Sequence, residues 1–498
     1  MESPGLSEVR RQIPFLGLGL YWAWVTVVFY SDALVPASPD GNGLVETIWL
    51  WATWSHMIAL FVFAALSRKL GSLLSRRSFR LVGVGGTALG SALITLISVI
   101  VPSASLSQTL ILVVSVFVGI CSAWHVLQWA ELYARGLGNA VTPLSLLSFV
   151  LGIAIYFLLM AFPPVITTIM AVLLPLFAGM ALYACHARKT SGALRAHSTS
   201  DTEFAGGLAV SLLAVFVFAL CGEMLRVLTL RISEQSVVAM GSYYLLGGLI
   251  GLVALATYFL LPVRSHERRI TLPLVRNVLL FMAAAFFAAP FLGSYAIAVS
   301  YGIFGAGFWC FRAISWVFCF VLVFRLGYDP VRVIAVLDGV FALSVVVSSQ
   351  LNLWIAESIK VGGTELTTVA LVAVFALMLM AIFVLNGKGV SKLLRMGFED
   401  SDSQAVDPHE AADEAAEYDG DIETALARLA NDYNLSPRET EVAALLAKGR
   451  SLPFIQNELY ISAGTAQTHA RHIYKKLNVH SRQEFLDVVE KARASSAH

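Results

Sequence analysis

Twelve apolar runs, each long enough to cross a lipid bilayer, fill most of the chain before residue 390. They lie at approximately 13–30, 44–66, 81–101, 106–129, 141–162, 164–186, 204–225, 237–261, 273–293, 296–324, 331–355 and 365–386. No water reaches a bilayer core, so a backbone placed there must satisfy its own hydrogen bonds as a helix or a closed barrel. Runs near twenty residues select the helix, because a barrel strand needs only about ten. The chain is therefore expected to be all-α and polytopic, with twelve transmembrane helices. Composition agrees: 57% of residues are hydrophobic and 13% charged, and a mean hydropathy of +0.75 lies outside the soluble globular range.

A net charge of +1 hides strong segregation. Connections that follow odd-numbered spans contain only Arg226, Arg231 and Lys360. The opposite side collects twenty basic residues, including Arg10, Arg11, Arg68, Lys69, Arg76, Arg77, Arg80, Arg135, Arg264, Arg268, Arg269 and Arg276. Basic loops stay cytoplasmic, which places both termini in the cytoplasm and the chain in the cell (inner, cytoplasmic) membrane as a multi-pass protein. Arg10 and Arg11 precede a full-length first span without a small-residue cleavage pattern, so that span is expected to be retained. The five cysteines all lie within apolar runs and form no CxxC pair. They read as small buried hydrophobes, and neither a metal nor a cofactor is implied.

The polar stretch 186–203 joins two six-span halves, and in each half the second cytoplasmic loop (67–80, 264–276) is the most basic. Such a plan resembles the major facilitator superfamily of secondary transporters. Leu66-Ser67-Arg68-Lys69-Leu70-Gly71 lies on the centre of that family's loop signature, G-x-L-a-D-r-x-G-r-k, with Arg68 where the family has its aspartate. The resemblance implies paired six-helix bundles around a central cavity. The charge reversal at Arg68 is expected to damage the gate of an active transporter.

An ionisable side chain inside a span costs about 2.5–3.5 kcal/mol at mid-bilayer and so marks a cavity or a partner. Arg312, near the middle of span ten, shares a helical face with Trp309 and Trp316. In the resembling transporters spans one, four, seven and ten line the cavity. That adds Trp124, His125, Gln128 and Glu131 from span four and Glu223 from span seven. A cation with aromatic walls suits a small aromatic or anionic ligand, for which Trp124, His125, Gln128, Glu223, Trp309 and Arg312 are the expected contacts. The alternative is a structural pair of Arg312 with Asp338.

Beyond Lys392 the composition changes. Residues 399–423 contain eleven Asp or Glu and no Lys or Arg, an acidic tether expected to be disordered. The chain thus divides into a membrane domain (1–392), a linker (393–424) and a C-terminal domain (425–498). In that last domain Ser436 caps a helix with Pro437 at its first position, and Glu439 completes a capping box. Val442, Leu445 and Leu446 continue the helix, Gly449 ends it, and Pro453 opens a second helix with Phe454, Ile455 and Leu459 facing a core. Ser462 opens a third, in which Ile473 and Leu477 pack while Gln467, Thr468, Arg471, Lys475 and Lys476 stay polar.

From Leu435 onward these spacings resemble the LuxR-type (NarL/FixJ-type) helix-turn-helix, a small four-helix domain that binds double-stranded DNA. The resemblance implies base contacts from Gln467, Thr468 and Arg471, and phosphate contacts from Thr465, Lys475 and Lys476. Ala466 departs from the usual valine, Gln456 from a usual alanine and Gln467 from a frequent lysine. Residues from 424 onward hold ten Lys or Arg against seven Asp or Glu. So small an excess suggests binding as a dimer, with Phe485, Leu486, Val488 and Val489 offering an apolar surface.

With no nucleophile elbow, phosphate loop or metal-spaced cluster, an enzyme is not expected. The sequence reads as a membrane-embedded one-component transcriptional regulator, whose transmembrane domain senses a small molecule and whose tail binds DNA. A secondary transporter with an attached regulatory domain is the alternative.

Overall fold

The computed structural model describes residues 12–35, 41–75, 77–101, 103–137, 140–187, 212–224, 237–260, 294–326, 329–362, 365–386 and 426–447, and parts of 455–492. Two compact units result, Met1–Asp400 and Ser401–His498. All regular structure among the described residues is helical.

In the first unit a short 3-10 turn, Ile13–Leu16, leads into α1 (Gly17–Tyr30). There follow α2 (Gly41–Leu70), α3 (Arg77–Ile100), α4 (Ala104–Gly136), α5 (Val141–Met160) and α6 (Pro164–Ala187). The second half supplies α7 (Leu212–Met224), α8 (Val237–Leu260), α9 (Ser294–Leu326), α10 (Pro330–Lys360) and α11 (Leu366–Asn386). Helix boundaries follow local chemistry. Asp329 caps α10 by accepting from the Arg332 amide at 3.2 Å, with Pro330 at the first helical position. Gly71, at φ +63°, supplies the left-handed residue just past α2.

Among the described residues eight helices are long and apolar enough to cross a membrane, and Leu212–Met224, Gly241–Thr257 and Thr367–Met380 are shorter apolar helices. Together they fall on eleven of the twelve expected spans; the run 273–293 lies outside the described residues. Leu89, Leu96, Val99 and Ile100 of α3, and Phe375, Met378 and Ile382 of α11, remain exposed. Apolar surface on that scale needs lipid to cover it. The protein is a multi-pass membrane protein.

Within this unit α1 packs against α5 and α6, α4 against α2 and α3, and α8 against α9; the two halves meet along α2 with α10 and α5 with α8. Backbone contact seals the α8–α9 seam. A methyl group at Gly247 would overlap the Gly302 carbonyl oxygen, and one at Gly305 the Tyr244 carbonyl. Without a hydrophobic drive between helices in lipid, such close approach is what van der Waals packing requires. The loop between α2 and α3 is pinned from α4: Glu131 accepts from the Leu73 amide at 2.8 Å and pairs with Arg135 at 2.6 Å. Glu131 therefore serves this loop, and Arg68 stays exposed beside it.

The second unit has its own core, in which Leu426, Leu429, Val442, Leu446, Ile455, Ile473, Leu477, Phe485 and Val489 are buried together. Its two fully described helices are α12 (Pro437–Ala447) and α13 (Ala463–Lys476). The capping box is present: Ser436 donates its amide to Glu439 at 2.7 Å, and the Glu439 amide donates to Ser436 Oγ at 3.3 Å. Asn478, at φ +52°, closes α13, with the Val479 amide reaching back to the Tyr474 carbonyl at 2.9 Å. Phe485 and Val489 are spent in the core, so of the apolar surface expected for pairing only Leu486 and Val488 keep partial exposure. Phe454, Gly449 and the linker 393–424 lie outside the described residues.

Candidate DNA-reading helix and membrane cavity

Along α13 the apolar positions Ala466, Ala470, Ile473 and Leu477 are buried, which turns the remaining face to solvent. Thr465, Gln467, Thr468, Arg471, Lys475 and Lys476 are all exposed. Ser462 caps the helix by accepting from the Thr465 amide at 3.2 Å. Gln467, Arg471 and Lys475, four residues apart, share a shallow surface groove with Tyr474 and Asn478. An amide, a guanidinium and an ammonium on one stripe are the donors and acceptors that base edges and phosphates require.

Lys476 behaves differently from its neighbours. Its ammonium donates to the Asn434 carbonyl and to Glu439 Oε2, both at 2.7 Å. His472 lies 3.7 Å from the other Glu439 oxygen. Glu439 thus joins the start of α12 to the last turn of α13. Desolvation would raise its carboxyl pKa, but the Lys476 hydrogen bond and the Ser436 contacts outweigh it and hold the group at about 2. Two of the three Lys476 donors are therefore engaged within the domain.

In the membrane unit a cavity of about 140 Å³ lies between α1, α2 and α4 on one side and α7, α9 and α10 on the other. Nine lining side chains are aromatic, among them Tyr21, Trp22, Tyr30, Trp49, Phe308, Trp309 and Phe341; this lining suits a planar ring more than a hydrated ion. Polar groups are few. Arg312 forms a buried ion pair with Asp338, and its guanidinium lies over the rings of Phe341 (4.4 Å), Trp22 (5.3 Å) and Trp316 (6.0 Å). His56 Nε2 is 3.9 Å from the second Asp338 oxygen, and His56 Nδ1 is 2.8 Å from Ser122 Oγ. Two polar pairs, Ser122–His56 on α4 and α2 and Asp338–Arg312 on α10 and α9, thereby face one another with 3.9 Å between His56 Nε2 and Asp338 Oδ2.

The residues expected from the sequence separate into two groups. Arg312, Trp309 and Glu223 line the cavity. Trp124, His125 and Gln128 do not. Trp124 packs edge-on against Phe63 and Phe79, Gln128 donates to the Phe79 carbonyl at 2.8 Å, and His125 is wholly buried against Tyr21 and Thr87. The reason is the roll of α4, which turns these side chains toward α1, α2 and α3. His56, Tyr21 and Trp22 do line the cavity although no sequence signal singled them out; a histidine inside an apolar run was the available clue for His56.

Residues 433–489 match the family described as "Bacterial regulatory proteins, luxR family". The tail is a LuxR-family helix-turn-helix. Within it, 66 residues are 39% identical to the "Uncharacterized response regulatory protein YgeK" of Escherichia coli, and 48 are 46% identical to the "Probable transcriptional regulatory protein NarL" of Mycobacterium tuberculosis. These stretches are 13% and 10% of this chain and span only 45% and 22% of those relatives.

Solved structures align with about three quarters of the chain. A bacterial homologue of the iron transporter ferroportin, in an outward-facing state, aligns with 76% of this chain and 98% of its own at a TM-score of 0.51 and 14% identity. The Escherichia coli fucose:proton symporter FucP (76% and 99%, 0.50, 13%) and the human organic anion transporter MFSD10 (75% and 99%, 0.50, 15%) align similarly. At such identity the likeness concerns fold. The membrane unit has the major facilitator fold, fused to a LuxR-family domain.

Proposed function

We propose that this protein is a membrane-embedded one-component transcriptional regulator in which a small molecule in the aromatic cavity biases DNA binding by the cytoplasmic LuxR-family domain. The supporting observation is a split polar cluster, in which Ser122–His56 of one six-span half faces Asp338–Arg312 of the other across the cavity. A ligand that touches it has different contacts in two arrangements of the halves, and only such differential affinity can shift a conformational equilibrium. The helix α11 leads into the linker, so motion of the second half reaches the DNA reader by tethering. Both termini face the cytoplasm of the cell membrane in this reading. Two readers pair on a two-half-site operator, helped by the raised effective concentration that membrane confinement gives.

A transporter that also regulates is the second reading, favoured by the fold and by a central cavity. Exposed Arg68 in place of the gate aspartate favours the receptor. Reconstituted vesicles and a promoter reporter, assayed with the same compounds, separate them. A transcriptional response without uptake against a gradient supports the receptor; accumulation against a gradient overturns it.

A further inference from the structure

Of the charged residues lining the cavity, Arg312 and Asp338 are already committed to each other. A ligand carboxylate would compete with Asp338 for the guanidinium and leave two anions together in a site where Asp338 is only 5% exposed. Burying an unpaired charge in that way is strongly unfavourable. This counts against the anionic ligand that Arg312 alone suggests.

Hydrogen-bond polarity is more specific still. Ser122 Oγ carries one hydrogen, donated to the Gly119 carbonyl at 2.8 Å. Its 2.8 Å contact with His56 Nδ1 is then donated by the ring, a tautomer assigned from the network. In the neutral imidazole Nε2 is left as an acceptor. It faces Asp338 Oδ2, also an acceptor, at 3.9 Å. Two acceptors do not bond one another, and 3.9 Å is too long for a hydrogen bond in any case. A donor atom placed off the line between them reaches both at hydrogen-bond distance. One hydroxyl hydrogen satisfies one acceptor; a nitrogen with two or more hydrogens satisfies both.

We propose that the cavity takes an aromatic compound whose polar end is a primary amide, a neutral donor, its nitrogen seated between His56 Nε2 and Asp338 Oδ2 and its ring within the aromatic wall. His56 then determines specificity, because its lone pair separates N–H donors from acceptor-only isosteres. The assignment rests on the cavity being the sensing site.

The test uses the full chain in lipid nanodiscs, titrated with phenylacetamide, phenethylamine and phenylacetate and followed by tryptophan fluorescence. Phenylacetamide is expected to bind at least ten-fold more tightly than phenylacetate, and more tightly than phenethylamine, whose ammonium would add an uncompensated charge beside Arg312. His56→Phe, which keeps an aromatic ring but removes the lone pair, is expected to abolish that preference while preserving the melting temperature. Phenylacetate or phenethylamine binding as tightly as phenylacetamide overturns the proposal and leaves the sensing reading standing. Absence of saturable binding by all three overturns both. Should His56→Phe fail to fold, the wild-type series alone still decides.

Discussion

Replacing Glu439 with glutamine keeps the shape of the side chain and removes the charge that ties α12 to α13. Folding lowers this carboxyl from 4.5 to about 2, because the Lys476 and Ser436 contacts outweigh the cost of burial. Taken in full, that difference corresponds to about 3 kcal/mol at neutral pH. Lys476 is 36% exposed, so solvent screens the pair and about 1–2 kcal/mol is the expected loss. Since the folded pKa is the depressed one, the stabilisation is complete above about 4.5 and disappears as pH falls toward 2. The assay is thermal and urea unfolding of the Ser401–His498 unit, followed by circular dichroism, for wild type and Glu439→Gln at pH 7 and pH 2. At roughly 4–8 °C per kcal/mol for a domain of this size, the variant should melt at a clearly lower temperature at pH 7 and nearly coincide with wild type at pH 2. An equal deficit at both pH values, or none at pH 7, refutes the electrostatic account of this contact.

Arg471→Ala should cost about 1–3 kcal/mol on an operator and relax one base position, whereas Lys475→Ala should weaken all sequences and reduce the salt slope by about 1; salt-dependent binding assays on specific and random DNA distinguish them. Lys476→Ala should do both less cleanly, lowering domain stability as well as DNA affinity, because its ammonium also holds Glu439. Arg312→Ala should destabilise the membrane unit by about 3–5 kcal/mol by stranding Asp338, while Arg312→Met with Asp338→Leu recovers most of that loss; melting of the full chain in nanodiscs reads both. Gly247→Leu should force α8 from α9 and lower the yield of folded protein, with a cost above the roughly 1–3 kcal/mol of ordinary overpacking.

Local patterns explain why some of this is legible in the sequence alone. Run length and loop charge marked the spans, and Ser436, Pro437 and Glu439 announced a capping box within four consecutive residues. Arg312 was conspicuous because a guanidinium in lipid needs a reason, and Asp338 could be named as its partner from charge alone. The cavity's other half could not be read, since His56, Tyr21 and Trp22 lie on helices remote in sequence. Carrying over whole cavity-lining spans misplaced Trp124, His125 and Gln128, because which face of a nearly uniform apolar helix turns inward depends on packing. The α4 sequence has almost no polar asymmetry to reveal its roll. Phe485 and Val489 were ambiguous for a related reason: core and pairing surface draw on the same apolar side chains.

On the proposed function, the cavity and the DNA-reading helix are energetically coupled. Operator DNA can be selected from a random pool by the isolated tail, and its affinity for the full chain in nanodiscs then measured with and without a saturating cavity ligand. Coupling of about 1–3 kcal/mol predicts a 5- to 150-fold change in Kd, abolished in the Arg312→Met, Asp338→Leu variant while the tail alone binds unchanged. An identical Kd with the cavity empty and filled would contradict the account.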